Sequence, residues 1–283
     1  MTTTLRPTGP ENRTADGGRT RAYDICVNSR PVGAVHLAAE DQGGPLVGRI
    51  ARLVVQERER RRGRGTTAAL AAEEVLRGWG CARVEISAPV PAEAGQRAAA
   101  PAMLEALGYR ERNRYMIKEL DGPPALPEGS VGRPMTDEEF PAWWERGKEG
   151  YLTAQTDAGV PRETAEKRLE ATRSSQLPAG PASPNTLLRV LTHRGTDVGT
   201  VWVSLDVPFR EDADAWVFDV VVDEQYRGKG HGRSLMLFAE HECLAVGAPR
   251  LGLNVNAGNE AARHLYESLG YRAVELFYGK PLA

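Results

Sequence analysis

Across 283 residues there are only three cysteines, Cys26, Cys81 and Cys243. An odd number cannot pair completely, and their spacing fits neither a disulfide scaffold nor a zinc site, so no metal is expected. No apolar run approaches the ~18 residues of a membrane span. The opening segment, MTTTLRPTGPENRTADGG, lacks the apolar stretch of a signal peptide. A soluble, cytoplasmic chain without a membrane partner is the expectation. Charge of one sign is also missing: 36 Lys and Arg face 38 Asp and Glu, a net charge of -2. That balance argues against bulk nucleic-acid binding. What is present is ordinary globular composition, 41% hydrophobic and 26% charged. At about 100–200 residues per domain the length favours two domains.

The clearest break is ELDGPPALPEGS (119–130), where prolines and glycines prevent a helix or central strand. It divides the chain into residues 1–120, a linker at 121–130, and residues 131–283. Beyond it, Thr136-Asp137-Glu138-Glu139 reads as a helix cap with acidic first-turn residues. Pro161 opens a second helix. Strands are expected at Thr186–Thr192, Val198–Leu205 and Ala215–Val222. A glycine-rich turn follows, then a helix from Gly232 to Val246 and a strand at Leu251–Val255. A helix from Asn259 to Leu269 and a strand at Arg272–Tyr278 close the chain.

The chain also repeats. A shift of 167 residues places Val54-Val55 on Val221-Val222, and Arg60, Gly63 and Gly65 on Arg227, Gly230 and Gly232. A shift of 162 places MLEALGYRE (103–111) on LYESLGYRA (265–273). One fold is written twice, and the first copy has little room for two helices before Tyr23.

The chemistry centres on strand WVFDVVV, turn DEQYRGKGHGRS and the helix after it. Gly228, Gly230 and Gly232 permit a sharp turn that presents several N–H groups together at a helix N-terminus, a setting that favours an anion. Arg227, Lys229 and Arg233 add positive charge, which makes a cradle for a pyrophosphate. Neither a Walker nor a dinucleotide-binding glycine pattern fits.

At these residues the sequence resembles the GNAT superfamily of N-acetyltransferases. The family pattern [QR]-x-x-G-x-[GA] reads R-G-K-G-H-G (227–232), and its second pattern reads N-E-A-A-R-H-L-Y-E-S-L-G-Y (259–271). The resemblance implies an α/β (α+β) protein of two tandem GNAT-like domains, each a mixed, mostly antiparallel twisted sheet flanked by helices. It implies acetyl-CoA as co-substrate. The backbone of Val220, Val221 and Val222 would pair with the pantetheine arm. The amides of Arg227, Gly228, Lys229, Gly230, His231, Gly232 and Arg233 would hold the pyrophosphate. Asn259 would contact the pantetheine, and Tyr266 would protonate the departing thiolate.

An attacking amine must lose a proton. Some family members place a glutamate five residues before the motif asparagine, but Asn254 stands there and cannot act as a base. Asp219 is the candidate base, working through water, with Glu275 a weaker one. His231 is expected on the surface, and an amine that arrives deprotonated needs no base.

In the first copy Leu104 stands opposite Tyr266 and Arg97 opposite Asn259. That copy is read as degenerate and non-catalytic, with its phosphate turn retained. Its run RERRRGR (58–64) is read as that turn with solvated flanks; a basic patch for nucleic acid is the other reading. The expected function is acetyl transfer from acetyl-CoA to a primary amine of a small molecule or peptide, by direct attack in a ternary complex. The alternative is a non-catalytic acyl-CoA-binding or sensor protein. The chain is expected to be a monomer or homodimer. Trp143, Trp144, Tyr151, Phe277 and Tyr278 are expected to shape the acceptor site, with Glu139, Glu145 and Glu149 nearby.

Overall fold

The structure, a computed structural model, describes residues 2–14, 17–41, 44–91, 99–157 and 160–282. The chain forms two compact units. One comprises Met1–Asn113 with Glu275–Ala283, and the other Arg114–Val274. Each copy therefore gives up its last strand: the end of the chain completes the first unit, and a segment preceding the proline-rich break joins the second. The stretch 121–130 carries no strand before Ser130 and lies within the second unit.

In the first unit the strands are β1 (Thr3–Pro7), β2 (Asn12–Arg13), β3 (Arg19–Val27), β4 (Arg30–Glu40), β5 (Val47–Val55) and β6 (Arg83–Pro89). Helix α1 (Arg64–Gly78) links β5 to β6, and α2 (Ala99–Ala106) precedes β7 (Arg110–Glu119). The sheet order is β1-β3-β4-β5-β6, with β2 beside β3, and all these pairs are antiparallel except β5 with β6. The last strand of the chain, β13 (Arg272–Pro281), adds to β6 in antiparallel register from Glu275↔Pro89 to Pro281↔Arg83. Among the described residues no α-helix precedes α1, as the short lead to Tyr23 predicts.

The second unit holds β8 (Ser130–Pro134), α3 (Phe140–Asp157), α4 (Arg162–Gln176), β9 (Thr186–His193), β10 (Thr196–Ser204) and β11 (Ala215–Val222). It continues with α5 (His231–Ala245), β12 (Arg250–Asn256) and α6 (Glu260–Ser268). Its sheet runs β7-β12-β11-β10-β9-β8, with β11 and β12 parallel. The β-branched run of β11 fits a pleated, half-buried position, and the expected bounds Ala215–Val222 are met. Helix α3 opens with a capping box: the Thr136 N–H donates to Glu139 Oε2 at 2.9 Å and the Glu139 N–H to Thr136 Oγ1 at 3.3 Å. Pro161 stands one residue before α4, as its N-cap.

Two hydrophobic layers cover this sheet. On one face, Val201, Val203 and Val217 pack with Leu235 and Met236 of α5, and Met116 of β7 joins them. On the other, Phe140, Trp143 and Trp144 of α3 pack on Trp202 of β10. In the first unit, Tyr278 of β13 is buried among Val35, Ile50 and Leu76. Tyr278 was expected at the acceptor site, and burial in the first unit's core removes it from there.

Candidate active site

Strands β11 and β12 part company where the chemistry was expected. Their parallel register ends at Val217↔Leu253. Val220, Val221 and Val222 remain paired to Val201, Thr200 and Gly199 of β10 on the other side. Among the described residues their β12-facing edge has no register partner in β12, the setting in which an extended ligand can pair with a strand.

At the end of β11 the chain makes a short 3-10 turn, Glu224–Tyr226, and passes through two left-handed glycines, Gly228 (φ 74°) and Gly230 (φ 86°), into α5. The first bond of α5 runs from the Ser234 N–H to the Gly230 carbonyl at 3.2 Å. Among the described residues the N–H groups of His231, Gly232 and Arg233 therefore lack an intrahelical acceptor, the condition for anion binding at a helix N-terminus. Arg227 donates from Nε to the Val222 carbonyl at 3.1 Å, tying the turn to the strand end. Lys229 Nζ donates to the Gln225 carbonyl and sits over the Tyr226 ring. Gly232 also serves packing. It lies inside α5, and a Cβ there would stand 3.3 Å from Leu265 of α6, so its bareness lets the two helices approach.

The structure adds to three expectations here. His231 is buried at 7% exposure rather than on the surface. Its ring lies 5.0 Å from that of His193, whose Nδ1 is 3.0 Å from Ser130 Oγ. Burial, with His193 and Lys229 nearby, pulls its pKa down. Asn259 is the N-cap of α6, its Oδ1 accepting from the Ala262 N–H at 3.1 Å. Glu275 and Phe277 belong, with Tyr278, to the first unit.

The Asp219 carboxylate acts electrostatically on the Tyr266 hydroxyl. Asp219 is half-buried on β11, and burial pushes its carboxyl up to about 6 although the Val220 N–H favours the ionised form. Tyr266, half-buried on α6, has its hydroxyl pushed up by burial and by the Asp219 carboxylate. Its ring meets that of Tyr271 edge-on, 6.0 Å between centroids. The pair thus offers a carboxylate poised to take a proton near neutrality and a phenol that keeps its own.

The expected acidic attractants have partners of their own: Glu139 with Arg133, Glu145 with Lys148, and Glu149 with Arg162. Trp143 and Trp144 are buried in the α3 layer, and Tyr151 packs on a separate small cluster with Leu152, Val160 and Ala165.

In the first unit the scaffold repeats and the reactive groups do not. Arg60 donates from Nε to the Val55 carbonyl at 3.0 Å, Gly63 is left-handed at φ 73°, and Arg61 adopts φ 59° at the place of Gly228. The register of β5 with β6 ends at Ile50↔Ile86, the same parting of strands. Arg52 occupies the place of Asp219, opposite His36 as Asp219 is opposite Trp202. Leu104, in the place of Tyr266, is fully buried. Arg97 lies outside the described residues.

Sequence reading missed Trp202, Phe218 and His193. Their places depend on cross-strand pairing, and no local motif marks them.

Comparison with known proteins agrees with this arrangement. The model of the acetyltransferase (GNAT) family matches residues 5–109 and again 155–271. The uncharacterized N-acetyltransferase YycN of Bacillus subtilis is 29% identical over 152 residues, 53% of this chain and 96% of its own length. A mycothiol acetyltransferase of Thermomonospora curvata is 28% identical over 273 residues, 95% of this chain and 85% of its own. Among solved structures, the GCN5-related N-acetyltransferase from Sphaerobacter thermophilus superposes with a TM-score of 0.58 at 20% identity, covering 92% of this chain and 80% of that one.

Proposed function

Because the chain belongs to the GNAT family of acetyltransferases, matched twice along its length, we propose that its second copy transfers an acetyl group from acetyl-CoA to a primary amine by direct attack in a ternary complex. Acyl transfer to an amine is the general reaction of the family, and the chain is an N-acetyltransferase in that sense. In this reading residues 131–283 form the catalytic copy and residues 1–120 a copy without chemistry.

The residues fit the coenzyme. A left-handed glycine turn with free N–H groups and three cationic side chains suits a pyrophosphate. When bound, acetyl-CoA supplies the acyl group as a thioester. The Arg227 N–H is spent on the Glu224 carbonyl at 3.2 Å, so the amides of Gly228 to Arg233 hold the phosphates, and the open edge of Val220–Val222 aligns the pantetheine arm. The Nδ2 amide of Asn259 is left for that arm while its Oδ1 caps α6. Asp219 takes the proton of the amine, directly or through water. Tyr266 holds a proton at Oη until the sulfur leaves, which its raised pKa favours.

The observation that carries the reading is geometric: β11 and β12 part after Val217↔Leu253, beside a left-handed glycine turn that opens α5. Thiol release across a panel of primary amines, with mass spectrometry of the products, tests it. Release together with an acetylated amine is expected. Coenzyme binding without release for any amine would leave the chain a binding module.

A further inference from the structure

Trp202 is 7% exposed, yet its indole Nε1–H has no hydrogen-bond partner among the described residues. A buried donor without an acceptor is costly, and proteins keep few of them. Trp202 is no isolated packing residue. It lies on β10 directly opposite Asp219 of β11. Side chains at such paired positions share one face of the sheet, their Cβ atoms about 4.5–5.5 Å apart. At this point β11 carries a bulge. The register passes from Val203↔Val217 to Trp202↔Asp219 and leaves Phe218 as the extra residue. The Phe218 ring stacks on Trp202 at 4.8 Å and 24°, while 38% of the residue stays exposed. The Trp143 ring meets the indole in a T-shaped contact, 6.0 Å between centroids. Asp219 makes no ion pair among the described residues, so its carboxylate lacks a counter-ion within the unit.

Resting on the acyl-transfer reading above, we propose that the acceptor is a small primary amine with a hydrogen-bond-accepting oxygen a few bonds from its nitrogen and a flat apolar body. The ammonium group is the counter-ion of Asp219, the oxygen accepts from Trp202 Nε1, and the apolar body lies along Phe218. Simple alkylamines satisfy only the first of these contacts. The first unit is not built for such a ligand. Its equivalent bulge has Ala51, with His36 opposite Arg52, so the cationic guanidinium repels an ammonium and neither aromatic ring is there.

The test compares phenylalaninamide with 2-phenylethylamine, which lacks the carboxamide oxygen, as ligands of the full chain. The readout is the nitrogen–proton spectrum of the five tryptophan indoles, with Trp202 assigned by Trp202→Phe or by its contacts with the Phe218 and Trp143 rings. Phenylalaninamide is expected to move the Trp202 Nε1–H signal downfield, as a new hydrogen bond does, and 2-phenylethylamine to leave it in place. Trp202→Phe is expected to weaken phenylalaninamide about tenfold and 2-phenylethylamine hardly at all. Equal affinity of the two amines, a still Trp202 signal, or binding of neither overturns the proposal. The wild-type spectrum decides this even if the variant does not fold. Thiol release with any other amine would leave acyl transfer standing while this acceptor class falls.

Discussion

At the scale of single residues, Asp219 ties stability to activity with opposite signs. Its carboxyl is raised from 3.8 to about 6 in the folded protein. Between those values the folded chain holds a proton that the unfolded chain has lost. Stability contributed by this group is therefore present below the lower value and is lost as the pH rises through the window. At pH 7 the ionised carboxylate, poorly hydrated on β11, works against the fold. Asp219→Asn is expected to raise the melting temperature at pH 7, to leave it unchanged near pH 3, and to lower turnover steeply. Melting curves at the two pH values check this, and a variant no more stable at pH 7 than the parent contradicts it. Turnover of the parent should fall as the pH drops below about 6. Tyr266 could be named as a candidate from the sequence because it sits at a fixed offset in a short motif, and Asp219 because it stands just before the three valines that end its strand. Trp202 could not be, since its importance comes from lying across a strand pair from Asp219. His231 misled because its chain neighbours, Lys229 and Arg233, are polar, whereas its burial comes from His193 on β9.

At the scale of elements, the strand–turn–helix unit and α6 were legible almost to the residue. Their punctuation is local: glycines where φ must be positive, and Asn259 where a helix needs its first N–H groups satisfied. Asn259 carries two roles in this account, capping α6 and meeting the pantetheine, and substitutions separate them. Asn259→Ala is expected to lose about 1 kcal/mol of stability with the cap. Asn259→Ser restores the cap and the stability, while coenzyme affinity stays reduced in both. Thermal melts and calorimetric titration with acetyl-CoA make the comparison. Full affinity in the serine variant would reduce Asn259 to a cap.

At the scale of the whole molecule, two domains were legible and the traded strands were not. The repeat aligns β7 with β13, but its pattern is identical whether a strand returns to its own copy or serves the other. The structure shows what the trade involves. Lys118 of β7 donates to Glu240 of α5 at 2.7 Å, and Lys280 of β13 to Glu73 of α1 at 2.9 Å. Both glutamates are buried, at 2% and 1% exposure. Tyr271 and Tyr109 line the same positions, each with its lysine over the ring. The shifts of 167 and 162 residues relate the glutamates and the lysines respectively, so the two latches are copies of each other. Each joins a helix of one copy to the strand given by the other copy. Removing Lys118 leaves Glu240 buried without its cation, so Lys118→Met is expected to cost about 3 kcal/mol. The double variant Lys118→Met/Glu240→Leu should recover most of that, by denaturant melts. A single variant as stable as the parent would show that the latch does not hold the strand.

If chemistry belongs to the second copy and runs through Tyr266, the deciding variant is Tyr266→Phe in the full chain, with turnover at saturating acetyl-CoA measured beside coenzyme affinity. Removing the hydroxyl takes away the proton donor and keeps the ring that packs on Tyr271. Turnover is expected to fall about 100-fold or more while affinity for acetyl-CoA changes little. Unchanged turnover would contradict the account and take the reaction away from Tyr266.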